Sequence, residues 1–361
     1  MDKEIFKNKL IEYMNLEAPS RFENIVAKKI IDAVKKENFE ISFDNLGSVI
    51  LHKKEKNINS PRVMIAAHMD EVGYLVKNIS KEGFIYLNPL GGIWTNVVVG
   101  TKAVLVNKKG ERFNGIFGHT SIHIMENEKR NKALTNSDLY ADFGFKNDLE
   151  AKELGIEIGD VVYMSGEVVN FHDKNLIAGK AMDNRAGVCV LEFIAKSIEN
   201  LDLDIDLYLV GTVQEEVGTR GAKSAVSLIN PQIAIALDTT STHDTPSTIT
   251  GTTKLGKGAA LRIMDGAMMA DPKLTKFLCE IALKNNIKHY KFISMGGGTD
   301  ASQLQYSKGG AATITISLAQ RYLHSPIGMC DINDLLAAHD LLVEFLKELN
   351  SDLYAKIIKY N

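Results

Sequence analysis

The 361-residue sequence predicts an α/β protein, a central mixed sheet flanked by helices and interrupted by a β-rich insert. Two observations predict it. From Leu176 onward, apolar strands and amphipathic helices alternate, the order that builds a sheet covered on both faces. Between about Glu71 and Ser165 the texture changes. Short alternating pieces such as "GFIYL", "KAVLVNK" and "NGIFG" are broken there by Gly, Asn and Lys-Gly, as in a small β unit.

The elements follow in order. Lys3 to Asn15 and Glu23 to Lys36 carry helical periodicity. Phe39 to Lys54 reads as a hairpin, and Arg62 to Val76 as one buried strand. Inside the insert, Asp148 to Leu154 is a short helical candidate. The alternating half predicts strands at Leu207–Val213, Ile233–Leu237, Ala259–Ile263, His289–Ile293 and Ala312–Leu318. Its helices fall near Arg185–Ser197, Ala222–Leu228, Pro272–Asn285, Ala301–Tyr306 and Ile332–Leu349. The domain division is therefore discontinuous: residues 1–70 and 166–361 make the α/β domain, residues 71–165 the insert.

Composition removes several function classes. Hydrophobic residues are 45% and charged residues 24% of the chain, a globular balance. A net charge of −3 leaves no electrostatic footprint for nucleic acid or an anionic membrane. No apolar run approaches the roughly 20 residues needed to span a bilayer. The amphipathic start does not read as a signal peptide. Cys189, Cys279 and Cys330 are scattered without a CxxC, so neither a disulfide framework nor a cysteine-based zinc site is expected. A soluble, cytoplasmic protein is the expectation.

The chemistry gathers at strand ends. "VMIAAH" ends in His68, with Asp70 two residues on; "LYLVGTVQEE" ends in Glu215 and Glu216; "IAIALD" ends in Asp238; "ATITISLAQRYLH" ends in His324; and Asp183 begins a helix in "GKAMDNRAG". Each is ordinary alone, His-x-Asp as a capped loop and Glu-Glu as a solvated pair. Together they converge on the carboxyl edge of a sheet, where α/β proteins bind ligands. Two imidazoles and three carboxylates suit zinc, cobalt or manganese, without the thiolates of a structural zinc site. Five ligands fit two ions with one carboxylate shared, and the helix start at Asp183 suits the shared one. Adjacent strand residues point to opposite faces, so Glu215 and Glu216 can both face the site only beyond the strand's end. Glu216 then binds metal, while Glu215 stays free as general base for the water between the metals. Asp70 accepts the second ring N–H of His68. His119 and His123 rank lower, in a Gly- and Thr-rich stretch of the insert, and His243 is a possible substrate contact.

These residues resemble the M42 metallo-aminopeptidases, relatives of the tetrahedral (TET) and glutamyl aminopeptidases. The matching pieces, "AAHMDEVG", "GKAMDNRAG", "VQEEVGTRGA", "ALDTTSTHDTP", "GGGTDAS" and "RYLHSP", run from Ala66 to Pro326. The resemblance implies a zinc-peptidase-like sheet and two divalent ions per subunit, zinc or cobalt. It implies His68, Asp183, Glu216, Asp238 and His324 as ligands, Asp183 as bridge and Glu215 as base, with a cis Asp183–Asn184 peptide bond. It also implies a PDZ-like insert used in assembly, giving dimers that build a tetrahedral dodecamer. His119 and Thr120, and "IGMCDINDL" after His324, depart from the family pattern away from the metal residues.

The expected reaction removes the N-terminal residue of short peptides, with Met295 to Asp300, Gly297, Gly298 and Thr299 above all, lining the substrate cleft. Arg321, Lys254 and Lys308 are candidate cations for an acidic side chain. Related chemistry in a metal-dependent amidohydrolase, deacetylase or carboxypeptidase is the alternative. A paired-carboxylate glycoside hydrolase with Glu215 as its acid leaves His68, Asp183, Asp238 and His324 without a role. "GGGTDA" lacks the acidic residue a dinucleotide fold needs, and "GTTKLGKG" has Gly258 where a P-loop has Ser or Thr.

Overall fold

The computed structural model describes residues 1–34, 38–53 and 60–360, so the expected element ends at Lys36 and Lys54 lie outside the described residues. Helix α1 (Lys3–Met14) starts at Asp2, whose carboxylate accepts from the N–H groups of Glu4 and Ile5. Helix α2 (Asn24–Ala33) follows. Strands β1 (Glu40–Phe43) and β2 (Val49–Lys53) form the hairpin, turned by Asp44, which accepts from the N–H groups of Leu46, Gly47 and Ser48. Strand β3 (Arg62–His68) is almost wholly buried.

The run expected as one strand from Arg62 to Val76 is two. At Met69 the chain leaves the sheet, because Asp70 and Glu71 turn inward to bond backbone N–H groups of other segments. It re-forms as β4 (Gly73–Ile79), which with β5 (Ile85–Leu90), β6 (Lys102–Val106), β7 (Arg112–Phe117), β8 (Tyr140–Asp142) and β9 (Val161–Met164) closes a six-stranded barrel. Helices α3 (Asn127–Arg130) and α4 (Asp148–Glu153) lie in its connections. The barrel has its own apolar centre, including Tyr74, Leu105, Phe117 and Val162.

Strands β10 (Val169–Asn170) and β11 (Leu176–Gly179) lead back to helix α5 (Met182–Ile198). Then come β12 (Asp206–Thr212), α6 (Arg220–Ile229), β13 (Ile233–Ser241), β14 (Ala259–Met264), α7 (Pro272–Lys284), β15 (His289–Ile293), α8 (Ala301–Leu304), β16 (Ala312–Gln320), β17 (Gly328–Asp331) and α9 (Ile332–Glu348). The large sheet is mixed, in the order β1-β2-β12-β3-β13-β16-β14-β15. Its centre, β12-β3-β13-β16, is parallel throughout, so four carboxyl ends share one edge. Helix α5 packs on those strands with fourteen of its seventeen residues buried. Its buried Glu192 is satisfied by the Tyr13 hydroxyl and the Lys196 ammonium.

Two further differences from the sequence reading have local causes. Strand β13 runs four residues past Leu237, since the hydroxyl residues of "DTTS" continue the ladder with β16 as far as Ser241–Gln320. Strands β10, β11 and β17 form a separate small sheet whose segments of two to four residues carry no usable periodicity.

Helix α6 must start close beneath the end of β12. A Cβ on Gly221 would stand 2.4 Å from the Val213 carbonyl oxygen and 2.5 Å from its nitrogen. Gly221→Ala is therefore expected to lower stability by about 1–3 kcal/mol through overpacking. Thermal unfolding measures it, and an unchanged midpoint would show that the helix can back away.

Candidate metal centre

The residues singled out at strand ends come together at the edge made by β12, β3, β13 and β16. His68 is the last residue of β3, Asp238 lies within β13, Glu215 and Glu216 sit in the turn after β12, and His324 sits in the loop after β16. Asp183 is in the first turn of α5, where it and Asn184 have non-helical backbone angles and are joined by a cis peptide bond, as the family resemblance implied.

The geometry divides into two groups that share Asp183. His68 Nε2 lies 3.1 Å from Asp183 Oδ1 and 3.4 Å from Asp238 Oδ1. His324 Nε2 lies 3.2 Å from Asp183 Oδ2 and 3.4 Å from Glu216 Oε2. Within each trio one potential ligand atom per residue falls within 4.8 Å of the others. Among the described residues, the buried Glu216 Oε1 has no hydrogen-bond partner. Hard oxygen and imidazole donors, a carboxylate with one oxygen in each trio and an orphaned buried oxygen all fit a pair of divalent cations.

Both imidazoles are oriented from behind. His324 Nδ1 donates to the Gly92 carbonyl at 2.7 Å, which leaves Nε2 as the atom facing Asp183. His68 Nδ1 faces the Asp70 carbonyl at 3.2 Å and its carboxylate at 3.4 Å. The fully buried Asp70 carboxylate also accepts from the Ser20 hydroxyl at 2.6 Å and from the N–H groups of Glu215 at 2.9 Å and Glu216 at 3.1 Å. That turn answers why two glutamates stand together. Gln214 is left-handed (φ 56°), the strand stops, and both carboxylates are carried to the site side. Glu215 belongs to neither trio, yet lines the adjoining cavity of about 560 Å³.

The electrostatics follow from crowding acids in a dry place. Burial pushes Glu216 up to about 8, aided by the charges of Asp183 and Asp70 and opposed by both histidines. Burial likewise raises Glu215, with Asp238, Glu216 and Asp300 adding to it. For His324 burial alone would favour the neutral ring, but the Asp183 and Glu216 carboxylates outweigh it and hold it near 10. Asp183 goes the other way: burial is overcome by its bonds to His324 and His68, and its pKa falls.

The remaining expected residues are placed unequally. Met295, Gly296, Gly297 and Gly298 line the cavity, and Gly297 has the positive φ of 75° that favours glycine. Thr299 does not line it: that side chain turns inward and bonds the Thr315 hydroxyl at 2.8 Å, because the loop must be anchored to β16. Asp300 is also buried below, bonded to the Thr212 hydroxyl. Arg321 is engaged by both oxygens of Asp244 and is not free for a substrate. Lys254 and Lys308 do not line the cavity, whereas His243 does. His119 and His123 stay on the exposed insert loop. The cation that does line it, Arg262, went unremarked in the sequence. A lone arginine inside the apolar strand "AALRIM" was the available signal, since burying a guanidinium requires partners, here Asp265, Ser317 and the Thr239 carbonyl.

A family model described as M42 glutamyl aminopeptidase matches residues 47–341. The chain is 32% identical over 347 residues to the glutamyl aminopeptidase of Lactococcus lactis subsp. cremoris (strain MG1363), covering 96% of this chain and 97% of the relative. Among solved structures it superposes with a TM-score of 0.92 on aminopeptidase APDkam598 from the archaeon Desulfurococcus kamchatkensis, at 32% identity and 99% coverage of both chains. With the Pyrococcus horikoshii TET1 peptidase, described as assembling into a tetrahedron or a large octahedral shell, the TM-score is 0.85 at 29% identity, covering 95% of this chain and 100% of that one.

The crowded carboxylates set a pH response. After chelator treatment, Glu216 near 8, Asp300 near 7 (raised mainly by burial) and His324 near 10 all hold protons more tightly folded than unfolded. The sign follows: their stabilisation is complete below the unfolded values, about 4 for the acids and 6.5 for the histidine, and is lost as pH rises through the folded ones. The thermal midpoint of metal-stripped protein is expected to fall between pH 6 and 9, and a divalent cation to flatten that fall. A midpoint rising across this window would contradict the arrangement.

Proposed function

The chain belongs to the M42 peptidase family and is a peptide hydrolase; from that premise we propose that it is a dinuclear-metal aminopeptidase, removing the N-terminal residue of short peptides. The observation that carries this reading is Asp183, one oxygen in each of two His–carboxylate trios, with Glu215 outside both on the cavity wall. His68 and Asp238 would hold one cation, Glu216 and His324 the other, and Asp183 both. Two zinc or cobalt ions per subunit suit these donors, and when bound they would make water at the site more acidic and offset charge on the scissile carbonyl oxygen.

The protein's own groups carry the rest. Glu215 takes the proton of the attacking water and delivers it to the leaving amine, a double duty that suits a buried carboxyl with a raised pKa. Asp70 keeps the Glu215–Glu216 turn and the His68 ring in register. Gly296 to Gly298 let the backbone approach an extended substrate. The carboxylate-rich end of the cavity receives the free α-amino group, which limits cleavage to one residue. The barrel is read as a PDZ-like assembly unit, the protein as a cytoplasmic homo-oligomer of dimers, with the tetrahedral dodecamer as its fullest form. A deacetylase or carboxypeptidase could use a similar centre, and matched acyl and aminoacyl substrates separate them.

Two outcomes test the reading. Glu215→Gln is expected to lower turnover of chromogenic aminoacyl substrates by about 10²–10⁴-fold while elemental analysis still finds two metals per subunit; near-full turnover would refute the base. Treatment with EDTA is expected to abolish activity, and zinc or cobalt to restore it. An enzyme indifferent to EDTA, as a paired-carboxylate glycosidase is, would overturn the metal centre.

A further inference from the structure

A second cavity opens beside the first, and its wall is basic. This open groove of about 1210 Å³ runs between α6, Leu46 of the β1–β2 turn and the stretch from Gln303 in α8 to Lys308, and Gly218 belongs to the walls of both cavities. Arg220, Lys223, Ser224 and Ser227 line it from α6, at positions i, i+3, i+4 and i+7 of one helical stripe. Gln303, Tyr306 and Lys308 line it as well, with Leu46 and Val226 as its apolar members. Arg220, Lys223 and Lys308 are exposed, and among the described residues none of the three has an ion-pair partner and no carboxylate lines the cavity. Their charges therefore stand uncompensated in a concave surface, with hydroxyl and amide donors between them.

Neighbouring geometry gives the cavity a direction. The chain passes from Glu215 and Glu216 through Gly218, which is left-handed at φ 119°, straight into Arg220. Thr219 lines the first cavity and Arg220 the second. In the first cavity every acid belongs to the metal centre or is its base, so the end receiving the amine is negative and the adjoining space is positive. A peptide has that same polarity, an ammonium at its start and a carboxylate at its end.

Resting on the aminopeptidase reading, we infer that this second cavity binds a carboxylate on the leaving side of the peptide, the C-terminal carboxylate of a short substrate. Short peptides with a free C-terminus are then preferred over longer or amidated ones, because only they place the anion within reach. Exposed cations each contribute little, so the preference is a matter of a few-fold and is screened by salt.

The test compares Ala-Ala-Ala, Ala-Ala-Ala-amide and Ala-Ala-Asp-amide as substrates, for the wild type and for Arg220→Gln/Lys223→Gln/Lys308→Gln. The wild type is expected to show a KM about three- to ten-fold lower for the free acid than for the amide, shrinking at 0.5 M salt. In the triple variant that ratio is expected to collapse towards one. Restoration of the ratio by Arg220→Lys/Lys223→Arg/Lys308→Arg, which keeps the charge, would support it further. If Ala-Ala-Asp-amide matches the free acid, the site reads side-chain acids rather than the terminus, which overturns the C-terminal assignment. An acid-to-amide ratio of one in the wild type, or one unchanged in the Gln variant, overturns the carboxylate site while peptide turnover keeps the aminopeptidase reading intact. No turnover of any peptide or chromogenic substrate overturns both.

Discussion

One buried carboxylate organises the site. Asp70 has no solvent contact, yet its two oxygens serve the Ser20 hydroxyl, two successive backbone N–H groups and the Nδ1 face of His68. A buried anion is tolerated only when several donors surround it, and this one has them. Three segments remote in sequence are thereby tied together: the stretch before α2, the end of β3 and the turn after β12. The strands bring the backbone to one edge. Asp70 then aims an imidazole and two glutamates from that edge.

Its neighbour Glu71 fastens the other side. Glu71 accepts from the Ala18 N–H, from Lys180 and from Arg185, while Arg185 also donates to the carbonyls of Met69 and Leu16. Burial pushes both Lys180 and Arg185 down and the Glu71 charge holds them up, so the cluster survives by mutual compensation. Lys180 stands three residues before Asp183 and Arg185 two after it, so the cluster holds the start of α5 and hence the place of the shared carboxylate.

The strongest periodic signals in the sequence were legible as structure. The alternating strands and helices of the second half appear within a few residues of their expected ends, and the broken texture between Gly73 and Met164 is a closed barrel. Residue chemistry at strand ends also pointed to a set that the fold gathers within a few ångströms. What stayed hidden depends on side-chain direction. Thr299 sits in the same glycine-rich phrase as Gly297 and Gly298 but turns towards Thr315, and nothing in the order of letters distinguishes them. Asp238 read as a strand terminus because hydroxyl residues followed it, whereas a partner strand kept the ladder going. The carbonyl of Gly92 could not be found by residue type, since every residue carries one.

That carbonyl has a consequence for how the molecule can be cut. Gly92 lies in the stretch following β5, yet it takes the Nδ1 proton of an imidazole at the sheet's edge. The ring's usable nitrogen is thus decided by the barrel side of the chain. Excising the insert and splicing β3 onward would keep every side chain of the two trios and still leave His324 free to spin and re-tautomerise. The two parts are separate as packed cores but a single instrument as chemistry.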